Sequence, residues 1–298
     1  MNFPLQQGDG LQLFRVATMQ LLMTRKKKPA EKLPELEQVL SRLESCEGLV
    51  REELDRYRSV GWDATGLAKT EILTSIVVPV YNEERTIARV ITRLAALPFP
   101  KELIVVDDCS RDQTREVLKK LVGLPGIKIV FKEQNAGKGA ALRTGFGQAS
   151  GDLIVVQDAD LEYDPADIPR VLEPLIRDEA DVVFGSRFIG KEIQDKSLVH
   201  RLGNWMLTTA SNLFTGIRLT DMETCYKAFR RDVLADLRLV QNRFGVEPEM
   251  TAKLARLGYR ITEVPITYHA RGYKDGKKIG VRDLFKAIYC IVRYGVAD

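Results

Sequence analysis

The sequence predicts an open, mostly parallel, doubly wound α/β sheet. Short Val/Ile-rich runs recur from residue 74 onward, amphipathic stretches separate them, and polar, charged and Gly residues follow each run. Continuous apolar runs of that length suit strands buried on both faces of a parallel sheet. Strand, helix, strand repeated in one direction gives a doubly wound architecture.

The expected strands are Ser75 to Val80, Leu103 to Val106, Ile127 to Phe131, Leu153 to Gln157 and Asp181 to Phe184, with Arg260 to Tyr268 as a later one. The expected helices between them are Glu83 to Ala96, Asp112 to Val122 and Lys138 to Ala149. Beyond residue 190, Val199 to Phe214 and Glu247 to Leu257 read as helices. Val281 to Tyr294 reads as an amphipathic helix with Leu284, Phe285, Ile288, Ile291 and Val292 on one side. Residues 1–70 differ in composition: an apolar segment from Leu11 to Met23, the basic run Arg25 to Lys28, and a polar stretch in which Leu36, Val39, Leu40, Leu43 and Val50 recur at near-helical spacing. They read as a helical N-terminal extension that packs on the main domain or on a second copy, or rests on anionic lipid through Leu11 to Lys28. Residues 71–298 form the expected main domain.

The 298 residues carry a net charge of +4, too mild an excess to indicate nucleic acid. Cys46, Cys109, Cys225 and Cys290 form no CxxC pair, so neither a disulfide framework nor a zinc site is expected, and a reducing cytosol is the default. No apolar run reaches the roughly 18 residues that span a bilayer. Leu11 to Met23 is broken by Gln12, Arg15, Thr18 and Gln20 and lacks a small-residue cleavage site. A cytoplasmic protein is expected, with peripheral contact at the cytoplasmic membrane face as a further reading.

Ligands of open α/β sheets bind beyond the carboxyl ends of the strands. There the sequence places Tyr81-Asn82-Glu83-Glu84, Asp107-Asp108-Cys109-Ser110, Asn135 to Gly139, Asp158-Ala159-Asp160-Leu161-Glu162 and Gly185-Ser186-Arg187. Asp158 and Asp160 at a strand end can converge on one hard cation, Mg²⁺ or Mn²⁺. Such an ion would neutralise charge on a departing diphosphate; the plain alternative is two solvated acids. Glu162 is either a third ligand or the start of the turn before Pro165. Asp107 or Asp108 can accept from a ribose or base, while Ser110 or Asp112 caps the next helix. Gly137-Lys138-Gly139 is neither a P-loop, since Lys132 stands where the first Gly belongs, nor a dinucleotide fingerprint, since Leu142 stands at the sixth position. It is either an anion site at a helix start or a structural turn.

Taken in order, Val78 to Glu83, Asp107 to Thr114, Asn135 to Gly139, Asp158 to Asp160, Gly185 to Arg187, Asp221 to Lys227, and Arg271 with Gly276 to Lys278 resemble the inverting family-two glycosyltransferases of the GT-A fold. The match is nearest to the dolichol-phosphate or polyprenyl-phosphate mannosyltransferase branch. The resemblance implies a nucleotide-sugar donor held through Pro79, Tyr81, Glu83 and Asp108, and a metal on Asp158 and Asp160, with Glu162 where Gln is common. It implies an acceptor phosphate met by Arg187 and Arg201, and a mobile segment carrying Arg271 and Lys278 that closes on the diphosphate. Many membrane-bound relatives continue into transmembrane helices; this chain is read as lacking them. An anionic lipid phosphate acceptor needs no strong base. A hydroxyl acceptor does, and Asp221 is then the candidate, with Glu223 second. His269 reads as structural and His200 as a neighbour of the site without an assigned role. A sugar-nucleotide pyrophosphorylase would carry a Gly-rich loop after the first strand, which is absent here. A non-catalytic nucleotide-sugar-binding protein is the reading from another class.

Overall fold

A computed structural model describes residues 71–124, 126–190, 198–270 and 281–296, without the side chains of 198–200 and 281–284. The extension expected over 1–70, the side chain of His200, and Arg271 and Lys278 lie outside the described residues.

The chain builds a seven-stranded sheet in the order β3-β2-β1-β4-β6-β5-β7. The strands are β1 (Thr74–Val80), β2 (Lys101–Asp107), β3 (Ile127–Phe131), β4 (Leu153–Val156), β5 (Val182–Ser186), β6 (Lys227–Arg230) and β7 (Ile261–Pro265). β1, wholly buried, lies between β2 and β4, both parallel to it, so that Ile76 is flanked by Leu103 and Val155. β2 carries β3 and β5 carries β7, again in parallel, whereas β6 runs antiparallel to both β4 and β5. The reversal of β6 brings its amino end, at Lys227, to the edge where the other strands end. The order reverses between β1 and β4, and that switch point opens the crevice.

The helices are α1 (Ile87–Ala96), α2 (Thr114–Lys119), α3 (Lys138–Phe146), α4 (Ile168–Ile176), α5 (Leu198–Thr215), α6 (Arg231–Asp236), α7 (Val246–Arg256) and α8 (Val281–Val296). α1 begins four residues later than expected because Glu83–Thr86 closes as a turn, its Glu83 carbonyl accepting from Thr86 and Ile87 N–H. α2 is shorter than expected: Asp112 Oδ1 caps Thr114 N at 3.0 Å, and the chain reaches the left-handed region at Gly123 (φ +88°). β6, α4 and α6 were not foreseen. At four residues, ending in Arg230, β6 is too short for a periodic signal.

One core of Val, Ile and Leu from the sheet interlocks with Val90, Ile91 and Leu94 of α1 and Val171, Leu172 and Leu175 of α4. α8 packs against α5 and α7, but its buried stripe is Ala287, Cys290, Ile291 and Tyr294. Phe285 (67% exposed), Ile288 and Val292, which periodicity grouped on one side with Ile291, face outward. Among the described residues no helix is long and apolar enough to cross a membrane.

Candidate active site

The loops after β1 and β2 are bonded to each other before they touch anything else. Asn82 N donates to Ser110 Oγ (3.0 Å), Glu83 N to Thr114 Oγ1 (2.8 Å) and Glu84 N to Asp112 Oδ2 (3.2 Å). In return Arg111 N donates to Asn82 Oδ1 (2.8 Å) and Gln113 N to Glu84 Oε2 (2.8 Å). Asn82 and Cys109 both adopt positive φ (56° and 62°) so that the two turns meet. Pro79 is buried in β1, and Tyr81 and Glu83 are half-buried just beyond it. Thr86 Oγ1 lies 2.7 Å from the Glu83 carboxylate and 3.0 Å from the Ala159 carbonyl, tying this loop to the acid pair.

Asp107 and Asp108 are buried, and both serve the fold directly. Asp107 accepts from Ser110 N and from Arg115 Nε at 2.6 Å. Asp108 takes Lys132 Nζ (2.5 Å), Ala136 N and Gly137 N (2.6 Å). Two backbone N–H groups of the Gly-rich turn, those of Ala136 and Gly137, are thus held by the protein's own carboxylate. The glycines have a steric reason as well. A Cβ on Gly137 would lie 2.5 Å from the Asn242 carbonyl, and one on Gly139 2.2 Å from the Gln241 carbonyl.

Asp158 and Asp160 follow β4 at the switch point, both half-buried. Asp160 Oδ1 accepts from Glu162 N at 3.1 Å. Asp158 Oδ1 pairs with Lys138 Nζ at 2.9 Å, and the same ammonium lies 3.1 Å from Glu247 Oε1. Glu247 Oε2 pairs in turn with Lys227 Nζ at 2.5 Å, which also donates to the carbonyls of Met222 and Thr224. Burial works against the charge of Asp158, but Lys138, the Cys225 thiol and Lys227 outweigh it and hold its pKa below the usual carboxylate value. Burial likewise opposes the charge on Lys138, and Asp158, Cys225 and Glu247 overcome it and raise its pKa well above that of an ordinary lysine.

Glu162 is bonded to the segment that follows β7. Its carboxylate accepts from the Tyr268 hydroxyl at 3.0 Å and its carbonyl from His269 N at 2.7 Å. Among the described residues no three His, Cys, Asp or Glu side chains converge as a metal cage. The two acids of the pair still suit a hard divalent ion, which commonly takes one or two carboxylates and completes its shell with phosphate and water oxygens.

On the β5 side, Arg187 forms a bidentate pair with buried Asp221, Nε to Oδ2 and Nη2 to Oδ1, both 2.7 Å. Its guanidinium also lies 5.1 Å from the Tyr268 ring centroid. Arg187 is held well above the ordinary arginine range: burial opposes this, and Tyr163 and Asp221 outweigh it. Asp221 N and Thr220 N donate to Glu263, which fixes this turn to β7. Glu223 has a buried Oε1 without a hydrogen-bond partner among the described residues, and burial followed by the charge of Glu247 pushes its pKa up to about 7. Arg201 is half-buried on α5.

Sequence reasoning missed Glu247, Lys227 and Cys225. The signal for Lys227 was present, since a lysine inside Tyr226-Lys227-Ala228-Phe229 demands an acid when buried. Its partner, twenty residues on, had no local mark.

The mostly parallel sheet, with its strand-end loops gathered at the switch point, is an α/β fold of the GT-A class. The chain belongs to glycosyl transferase family 2, whose family model matches residues 75–238, and it is a glycosyltransferase. It is 33% identical over 220 residues to a dodecaprenyl-phosphate galacturonate synthase of Rhizobium johnstonii, covering 72% of this chain and 64% of that one, so it spans under two thirds of that relative. It is 31% identical over 229 residues to an undecaprenyl-phosphate mannosyltransferase of Micrococcus luteus, covering 74% of this chain and 93% of that one. Among solved structures it is similar to glucosyl-3-phosphoglycerate synthase of Mycobacterium tuberculosis in complex with UDP (TM-score 0.62, 26% identity, 80% of this chain and 86% of that one). The same enzyme with Mn²⁺, UDP-glucose and phosphoglyceric acid gives a TM-score of 0.61 at 26% identity over the same shares.

Proposed function

We propose that the protein moves a hexose, mannose or glucose, from a GDP- or UDP-sugar to a polyprenyl phosphate, with inversion at the anomeric carbon. The observation that carries this reading is the acid pair Asp158 and Asp160 at the switch point, backed by the ion-paired Lys138. The names of the relatives support the lipid phosphate, and the Mn²⁺ and UDP-glucose of the structural neighbour support the donor and the metal.

Asp158 and Asp160 would hold the Mg²⁺ or Mn²⁺, which when bound supplies positive charge beside the leaving diphosphate. Pro79, Tyr81 and Glu83 border the place of the nucleoside, and Asp108 keeps the 135–137 turn against it. Lys138 meets the diphosphate, together with Arg271 and Lys278. Arg187, clamped by Asp221 through Nε and Nη2, and Arg201 receive the acceptor phosphate. The phosphate oxygen is already anionic, so Asp221 serves to orient Arg187 and no base is needed. That oxygen forms its bond to the anomeric carbon from the face opposite the diphosphate, while the carbon–oxygen bond to the diphosphate breaks and its electron pair leaves with the nucleotide. Glu162 supports the pair from outside through its backbone bond to Asp160.

Two helices supply an open apolar face suited to a lipid surface: Leu202, Trp205 and Met206 of α5, and Phe285, Tyr289 and Val296 of α8, each half exposed or more. Peripheral contact with a membrane belongs to this reading.

A second reading, transfer to a hydroxyl of a soluble acceptor, is favoured by Glu223. A carboxyl pushed up to about 7 in the site is poised as a general base. The phosphoglyceric acid bound by the structural neighbour is an acceptor of that kind.

Purified protein with radiolabelled GDP-mannose or UDP-glucose, Mg²⁺ or Mn²⁺, and either polyprenyl phosphate in detergent or 3-phosphoglycerate separates the two. Label extracted into organic solvent is the expected result; label only in the soluble product overturns the lipid acceptor. Asp160→Asn lowers turnover by about a hundredfold or more if the acid pair holds the metal. Unchanged turnover in that variant overturns the assignment.

A further inference from the structure

We propose that Lys138 is a built-in counter-cation that competes with the divalent ion for Asp158, so that the ion binds firmly only when a nucleoside diphosphate draws the lysine away. The inference rests on the reading of Asp158 and Asp160 as the metal pair.

The two lysines of the network differ. Lys227 is closed in, with a side chain 1% exposed and three acceptors around its ammonium: Glu247, the Met222 carbonyl and the Thr224 carbonyl. It neutralises Glu247 permanently. Lys138 faces the crevice, 17% exposed, and so does its partner Asp158, 23% exposed. Its ammonium sits on Asp158 Oδ1 at 2.9 Å, against a carboxylate a cation would need, and on Glu247 at 3.1 Å.

The backbone of Lys138 is not free to retreat. The 241–243 segment packs against both flanking glycines, and Ala140 N donates to the Asn242 carbonyl at 3.1 Å. Any displacement is confined to the side chain, and Glu247 offers it a second anchor. Charge balance points the same way. Asp158 and Glu247 offset Lys138 and Lys227, which leaves Asp160 alone to meet a dication, so an ion arriving without a nucleotide leaves one positive charge uncompensated in a partly buried cluster. A diphosphate brings the missing negative charge and a new partner for the ammonium.

The test is Mn²⁺ binding alone, read from the paramagnetic resonance of free Mn²⁺, with and without UDP or GDP. Lys138→Gln keeps the length and hydrogen-bonding capacity and removes the charge, and it binds Mn²⁺ without nucleotide at least about tenfold more tightly than the wild type. Lys138→Arg keeps the charge and binds as weakly as the wild type. Thermal melts of each variant show that it is folded. If Lys138→Gln is folded and no tighter, while Asp160→Asn abolishes binding, the competition is overturned and the metal pair stands. If Asp160→Asn and Asp158→Asn leave Mn²⁺ affinity unchanged, the metal pair itself falls, and the competition with it.

Discussion

Glu223 shows how one buried carboxyl links the site to pH. Burial first, then the charge of Glu247, raise its pKa to about 7. Unfolded, the group titrates near the ordinary value of about 4.3. Between those two values the folded protein holds the proton and the unfolded chain does not. Its stabilising contribution is therefore complete at acid pH and is lost as pH rises through about 7. Asp167 and Glu263, also raised chiefly by burial, act in the same direction and are common to any comparison. Glu223→Gln keeps the shape and removes the titration. The expected result is a melting temperature that falls less than that of the wild type between pH 5 and 8, with the variant the more stable protein at pH 8. Parallel curves would show that Glu223 carries its charge at no cost. The sequence offered Glu223 as the second candidate base after Asp221, but its raised pKa was not legible there. Burial among Glu247, Lys227 and Arg187 is a property of three separate chain segments meeting.

At the scale of elements, the start of α3 carries its own constraint. The Cβ of an alanine at Gly139 would approach the Gln241 carbonyl to 2.2 Å and Val246 Cβ to 3.0 Å, contacts that backbone cannot relieve cheaply. Gly139→Ala is expected to destabilise by about 2–3 kcal/mol in urea unfolding. Gly147, at the other end of the same helix, has helical φ (−66°) and only ordinary contacts beyond 3.4 Å. Gly147→Ala is expected to be neutral or stabilising by about 0.5 kcal/mol. Equal losses in the two variants would contradict the packing account. The strands of the parallel half were readable because buried Val/Ile runs such as Ile76–Val78 and Val105–Val106 have few other uses. Helix starts were less so. Glu83 and Asp112 carry helix-start residue types but are committed to the neighbouring loop, and a pattern along one segment does not show a bond to another.

At the scale of the molecule, α5 and α8 among the described residues carry a set of exposed large apolar side chains. Trp205 and Tyr289 are both more than 60% exposed. Trp205→Ser with Tyr289→Ser is expected to shift stability by only about 0.5 kcal/mol per site and to reduce co-sedimentation with anionic vesicles several-fold. Unchanged sedimentation would remove the membrane from the proposed function. The helical pattern of α8 was visible in sequence, but which stripe faces inward was not. Phe285, Ile288 and Val292 are as apolar as buried Ile291, and only the position of α5 and α7 selects between them. The reversal of β6 was equally hidden, although it brings Cys225 and Lys227 to the working edge.

The cross-bonded loops after β1 and β2 have a kinetic meaning. Their backbone torsions are set when the chain folds, not when the proposed nucleoside arrives. A ligand docking on Tyr81 and Glu83 meets a finished surface and freezes little of it. Capture by this half of the crevice should then run at an encounter-limited rate and leave almost no amide-exchange footprint on residues 81–86 and 108–114.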